Sequence, residues 1–199
     1  MAEYAMSLAF DEATHTYRWG GRVVPSVTQV LADLKDWSAI PRDRLARAQK
    51  EGVAIHKMVE WHLKGVLDVD TLPGWMRQRH AALLKFQDEH RLTVRSQECP
   101  LYNSKYRYAG TYDIDGDLDG SPALIDIKRS LYGGRITGLQ LAGYHGLLTP
   151  NLGFADMSRR RFALQLKDDG NYSLVEFSNT SDWGVFLACL TRHHFMEGT

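Results

Sequence analysis

GTYDIDGDLDGSPALIDIKRS, residues 110–130, reads as two β-strands on either side of a turn rich in aspartate and glycine. Side chains alternate faces along a strand, so Asp126 and Lys128 project together. Ile125 and Ile127 point the other way, into a core. Asp113 stands one hairpin away. A carboxylate beside an ammonium, with a second carboxylate opposite, suits Mg2+-assisted attack of water on a phosphodiester. The carboxylates hold a hard cation, and the lysine orients the water or offsets the developing charge. Asp115 lies on the same face as Asp113, but Asp115-Gly116 reads as the start of the turn, whereas Tyr112 and Ile114 bracket Asp113 as strand residues. Asp113 is therefore the expected partner. The plain alternative is an aspartate-rich surface turn with a solvated salt bridge.

Around this hairpin the expected elements fall in a regular order. Strands are predicted over 93–102, 106–115 and 122–129, then a helix over 136–148 stopped by Pro150. Strands over 160–167 and 171–178 form a hairpin across Asp168-Asp169-Gly170. A closing helix covers 181–196, with Trp183, Phe186, Leu187 and Leu190 at helical spacing. Upstream, a helix runs from Pro73 to about His90, with Trp75, Leu83, Leu84 and Phe86 among its apolar positions. A longer one runs from Pro41 to Lys64 and is closed by Gly65. Residues 7–11 and 15–24 form a hairpin with a Gly20-Gly21 turn, and Ser26 caps a short helix reaching Leu34. From residue 73 the order is helix, three strands, helix, two strands, helix. That is an α/β architecture, a mixed sheet with helices on both faces. At 199 residues the chain suits one domain, with 1–70 as an N-terminal hairpin and helical addition and 71–199 as the core.

Five segments occur in an order that resembles the RecB-like branch of the PD-(D/E)XK nuclease superfamily. Gly52-Val53-Ala54-Ile55-His56, followed by Glu60, is similar to the branch's Gly-x-x-x-His helix. Glu98 matches the acidic residue on the strand before the first catalytic aspartate. Gly110-Thr111-Tyr112-Asp113 resembles the Gly-x-x-Asp strand, Asp126-Ile127-Lys128 the Asp-x-Lys signature, and Gln140-Leu141-Ala142-Gly143-Tyr144 the Gln-x-x-x-Tyr helix. Phe10 to Leu31, with His15, Tyr17 and Pro25-Ser26-Val27-Thr28, resembles the lead-in of phage-type and mitochondrial genome-maintenance exonucleases of the branch. The resemblance implies a restriction-endonuclease-like αβββαβ core. It implies a Mg2+- or Mn2+-dependent DNA exonuclease of phage or bacterial recombination and repair, with Asp113, Asp126, Lys128 and Glu98 as catalytic residues. His56, Asp113, Asp126 and the backbone carbonyl of Ile127 would hold the metal, with Glu60 orienting the His56 ring. Gln140 and Tyr144 would contact the DNA backbone or support Lys128. DNA that is single-stranded or has free ends is the expected partner, alongside a recombinase or a single-strand-binding protein.

Composition agrees with an ordinary globular chain: 44% hydrophobic and 24% charged residues. No run of 18 apolar residues occurs, so no membrane partner is expected. The N-terminus has no basic-then-apolar leader, which makes a cytoplasmic location, in a bacterium or a phage-infected cell, the expectation. Cys99 and Cys189, the two cysteines present, cannot supply four ligands, so no iron–sulfur cluster is expected. Net charge is zero, unusual for a nucleic-acid binder. Basic residues nevertheless cluster: Arg42, Arg44, Arg47 and Lys50, then Arg77 and Arg79, then Arg159-Arg160-Arg161. The first cluster precedes His56 on one helix and is expected to bind the phosphate backbone and arch over the metal. Trp37 or Trp61 would be available there to stack an unpaired base. A roofed passage of that kind favours exonuclease action, and an open cleft would give an endonuclease of the same fold.

Other readings stand beside these. His56 suits a half-buried histidine bonded to Glu60 one helical turn on, Glu98 an edge-strand charge, and Gln140 with Tyr144 a helix face covering the sheet. Asp115-x-Asp117-x-Asp119-Gly120, with Asp126 at the twelfth position, nearly satisfies an EF-hand and would make a non-catalytic Ca2+-binding module. Strand-like flanks and Pro122 at the eighth position count against it. A non-catalytic assembly subunit on the same fold is the remaining alternative.

Overall fold

A five-stranded mixed sheet organises the molecule, which is known from a computed structural model that describes residues 7–36, 38, 40–131, 134–149 and 158–198. Trp37 and Pro150 lie outside the described residues. Strands β4 (Leu92–Asn103), β5 (Tyr108–Leu118) and β6 (Ser121–Lys128) form an antiparallel meander. Helix α4 (Gly134–Leu148) then crosses over to β7 (Arg160–Leu166), which pairs parallel with β6, and β8 (Tyr172–Glu176) returns antiparallel. A parallel neighbour needs a crossover of this length, whereas a two-residue turn suffices between antiparallel strands. Asp119 and Gly120 make the β5–β6 turn, both with positive φ.

The N-terminal addition is a three-stranded antiparallel sheet: β1 (Leu8–Asp11), β2 (Thr16–Trp19) and β3 (Arg22–Val24). It docks on the meander through stacking of Trp19 on Tyr102 and a hydrogen bond between Tyr17 and Thr111. Ser26 starts α1 (Val27–Val30) with a reciprocal capping box to Gln29, and a short 3-10 turn follows over Ala32–Leu34. Helix α2 (Arg42–Leu63) follows Pro41 and ends before Gly65 (φ +69). Helix α3 is Gly74–Glu89 and α5 is Ser181–Glu197.

The sheet is covered on both faces. On one, α2 and α3 bring Ile55, Met58, Met76, Leu83 and Phe86 against Ile114, Leu118, Ile125, Ile127, Phe162 and Leu164. On the other, α1, α4 and α5 bury Val27, Leu141, Leu147, Trp183 and Phe186 against Tyr112 and Leu124. Helix α4 is buried continuously from Thr137 to Leu147, lying between the sheet and α5. Its glycines make that sandwich thin. A Cβ on Gly146 would sit 2.5 Å from both the Trp183 ring and the Tyr108 hydroxyl. Gly110, on β5, approaches Leu147 and Tyr144 so closely that an added Cβ would lie 3.0–3.1 Å from them. The opening glycine of the Gly-x-x-Asp segment therefore has a packing reason.

Several expected apolar or basic positions turn out differently. Leu84 and Trp75 lie on the exposed side of α3. Arg77 and Arg79 have partners within the fold: Arg77 donates to the carbonyls of Leu72 and Asp70, and Arg79 is buried, donating to the carbonyl of Leu166. Arg159, Arg160 and Arg161 are taken up by Asp115, Glu176 and Asp182 respectively. Each guanidinium thus pairs with a carboxylate or donates to a carbonyl within the fold.

Candidate metal centre

Residues from α2, β4, β5 and β6 meet where β5 and β6 part. The last paired residues of these strands are Ile114 and Ile125. Just beyond them the Ile127 N–H donates to Asp113 Oδ2 at 2.5 Å, so Asp113 reaches across to β6 through its side chain. On the same stretch of β6, Lys128 Nζ lies 2.6 Å from Asp126 Oδ2. Strand alternation thus does what the sequence implies: Asp126 and Lys128 share a face, and Ile125 and Ile127 are buried in the opposite core.

Helix α2 closes the site from above. Its three buried residues, Ile55, Met58 and Val59, seat one edge of the helix on the sheet and carry His56 inward. His56 Nδ1 lies 3.2 Å from Asp113 Oδ1 and 4.0 Å from Glu98 Oε1. One ligand atom from each of His56, Glu98 and Asp113 falls within a 4.8 Å group. Glu98 faces Asp113 because the β4–β5 register passes from Gln97↔Ile114 to Cys99↔Tyr112. It does so with φ +46, a left-handed backbone that a glutamate rarely adopts. Such strain in a residue aimed at a cluster of like charge is a mark of a functional position.

The electrostatics of the group suit a bound cation. Burial raises Glu98, and the charge of Asp113 raises it further, to about 7. Burial works against a charged His56, but attraction and hydrogen bonding to Asp113, with help from Asp126 and Glu98, outweigh it and lift the ring to about 9. Burial also pushes Asp126 upward, against the pull of Lys128, while the His56 charge holds Asp113 below the usual carboxylate range in spite of its burial. Three carboxylates share the site with one imidazole and one ammonium, and protons are drawn in to balance them. Carboxylate oxygens with a single imidazole nitrogen form a donor set that could hold a divalent cation. The donors' mutual spacing is also within the reach of one ion.

Several expectations need correction. Glu60 does not orient His56: its carboxylate is held by Lys64 at 2.5 Å and Lys57 at 2.9 Å. Asp113 holds the ring instead. Asp115 is not in a turn, because β5 continues to Leu118. Arg95 donates to both Asp115 oxygens and to Asp117, and Arg159 donates to Asp115 at 2.6 Å. Those carboxylates are occupied, and the stretch is strand, so no EF-hand loop forms there. Asp126 stands beside the three-residue group with its carboxylate turned toward Lys128 and Gln140. Gln140 and Tyr144 are largely buried, and Gln140 supports the lysine. Gln140 Oε1 accepts from Lys128 Nζ at 3.0 Å, and Gln140 Nε2 donates to the Tyr144 hydroxyl at 3.1 Å. Gln140 also lines the cavity beside Lys128.

Arg42, Arg44, Arg47 and Lys50 are exposed along the first half of α2. Arg44 lines a cavity of about 610 Å3 together with Lys128, Gln140 and Lys35. Arg44, Arg47 and Lys50 line a second, of about 1010 Å3, with Trp75 and Arg79. Both cavities touch Ile40, Ala48 and Arg129, so they flank the same half of α2. Arg129, on the face opposite Lys128, ties the sheet to that helix through Glu51 at 2.7 Å. Trp61 lines a separate apolar hollow, about 690 Å3, with Lys57 over its ring. Lys35 has no motif around it and no helical period to reveal it, so sequence reasoning passes it over. Comparisons of the chain with protein-family models and with curated proteins give no match. No helix among the described residues is long and apolar enough to cross a membrane.

Proposed function

We propose that the protein is a Mg2+- or Mn2+-dependent deoxyribonuclease of the PD-(D/E)XK type, acting on DNA with free ends. One observation carries this reading: the Asp126–Lys128 ion pair lies one hairpin from the His56, Glu98 and Asp113 group, at the strand ends where the sheet opens. The order of α3, β4, β5, β6, α4 and β7 has the αβββαβ form that this superfamily shares.

His56, Glu98 and Asp113 would hold the cation, with Asp126 and the Ile127 carbonyl completing the set. When bound, the cation supplies positive charge that polarises the phosphodiester and eases departure of the leaving oxygen. Lys128, steadied by Gln140 and paired with Asp126, is placed to orient the attacking water and offset charge as it develops. The Ile127 N–H keeps Asp113 in place against the repulsion of its neighbours. Exposed Arg42, Arg44, Arg47 and Lys50 would draw the phosphate backbone toward the site despite a net charge of zero.

The test is hydrolysis of end-labelled single-stranded DNA in Mg2+, Mn2+ or EDTA. Wild-type protein should cleave in either metal and not in EDTA. Lys128→Ala and Asp126→Ala should each lose at least about a hundredfold in rate while binding DNA nearly as well, because binding rests on the basic flank. Wild-type turnover by folded Lys128→Ala protein would remove the lysine from the mechanism.

A further inference from the structure

The cavity beside Lys128 contains two cations that have no ion-pair partner among the described residues. Lys35 follows the short 3-10 turn and is half-buried, and Arg44 faces it from α2. Among the described residues neither side chain has a hydrogen bond or an ion pair. Nearby carboxylates are already engaged. Asp126 faces Lys128 at 2.6 Å, Asp36 accepts from the Ser38 N–H, and Glu51 is shared by Arg47 and Arg129. Burial and then the charge of Lys128 make the Lys35 ammonium harder to keep, with Asp126 only partly opposing them. A half-buried charge without a counter-ion is costly, and proteins keep one where a ligand brings the opposite charge.

We propose that Lys35 and Arg44 form a seat for one phosphate of a nucleic-acid strand, adjoining the phosphate to be cleaved. The inference rests on the nuclease reading and adds a subsite to it. His56, Glu98 and Asp113 do not line this cavity, whereas Lys128 and Gln140 do. A phosphate there would sit on the lysine side of the site and not among the metal-holding groups. A polymer fits better than a small anion, since basic side chains continue past Arg44 to Arg47, Lys50 and Arg79 in the larger cavity, interspersed with Asp43, Glu51 and Asp168. Arg44 offers a planar fork that grips two phosphate oxygens, and Lys35 adds a point charge from the other wall. Holding the adjoining phosphate would fix which bond of the strand faces Lys128.

The experiment measures binding without cleavage. Fluorescence anisotropy of a short labelled oligothymidylate is followed in EDTA over a range of KCl concentrations, for wild type, Lys35→Gln, Lys35→Arg and Arg44→Gln. One probe carries a 5′ phosphate and a second carries a 5′ hydroxyl. Lys35→Gln should bind about tenfold more weakly, with a salt slope smaller by about 0.7, the loss of one single-strand phosphate contact. Lys35→Arg should keep most of the affinity. The melting temperature of Lys35→Gln should be unchanged or higher, because an unpaired charge has gone. Equal loss on both probes assigns the seat to an internal phosphate, and loss confined to the phosphorylated probe assigns it to a terminal one. Wild-type affinity and slope in Lys35→Gln, or weaker binding that tracks a fall in melting temperature, would overturn the seat. So would failure of the wild-type chain to bind either probe. Lys35-dependent binding by a protein that never cleaves would leave the seat standing and overturn the nuclease reading alone.

Discussion

His56 shows how much chemistry one side chain concentrates. As the proposed ligand it would contribute an imidazole nitrogen, the only one in the group among the described residues. His56→Ala should therefore raise the Mn2+ concentration needed for half-maximal cleavage by about tenfold or more, with partial recovery at high Mn2+. A variant with lower thermal stability but the same metal requirement would return His56 to a packing role. Protons offer an independent check. Glu98 titrates near 7 in place of 4.5, and His56 near 9 in place of 6.5. Both values are raised, so the folded protein binds these protons more tightly than the unfolded chain. Their stabilising effect is complete at low pH, and it is lost as pH rises from about 4.5 through 7 for Glu98 and from about 6.5 through 9 for His56. In EDTA the melting temperature should fall between about pH 5 and pH 9, and Mn2+ should restore more of it at pH 9 than at pH 5. A melting temperature in EDTA that stays level across this range would contradict the charge balance described for the site.

At the scale of elements, α4 is the most exacting piece of packing. Gly146→Ala places a methyl carbon 2.5 Å from Trp183 and Tyr108 and would force α5 away from the sheet. A loss of about 1–3 kcal/mol is expected from such overpacking, read as a lower denaturation midpoint. Gly134→Ala, where nothing lies within 4 Å, should be neutral or slightly stabilising, so an equal loss in both variants would rule out the packing explanation. The helices and strands were legible in advance because apolar spacing, Ser26, Pro41 and Gly65 mark them locally. Asp126 and Lys128 were legible for the same reason, since strand alternation is a local rule. Asp115 was not. Asp-x-Asp-x-Asp-Gly looks like a turn by composition, and it becomes strand because Arg95, twenty residues earlier in the chain, crosses over to neutralise Asp115 and Asp117. Glu60 was misread similarly, since Lys57 and Lys64 claim it before His56 can. Competition among charges is settled by the tertiary structure, which the order of residues does not display.

For the molecule as a whole, the nuclease reading raises the question of how a strand would enter. The two cavities flank the first half of α2, and the Glu51–Arg129 pair ties that helix to the end of β6 between them. On the proposed nuclease reading, a strand held beneath that pair would enter by threading an end. Linear single-stranded DNA should be degraded at least about tenfold faster than closed circular DNA of the same length, as expected for single-strand recognition in a basic groove. Equal rates would mean that the cleft opens freely and that the activity is endonucleolytic. Helix α2 has a further consequence. It spans 22 residues yet buries only Ile55, Met58 and Val59, while the meander it covers is knit by two long hairpins. Among the large elements it has little holding it down, and segments of that kind open first as a protein breathes. His56 is the point at which a bound cation would grip it. The ion would then act as a clasp as well as a reagent, slowing amide hydrogen exchange along α2 and leaving β4 to β6 nearly as they were. Occupancy of the centre would thus govern how often the passage beneath the helix stands ajar.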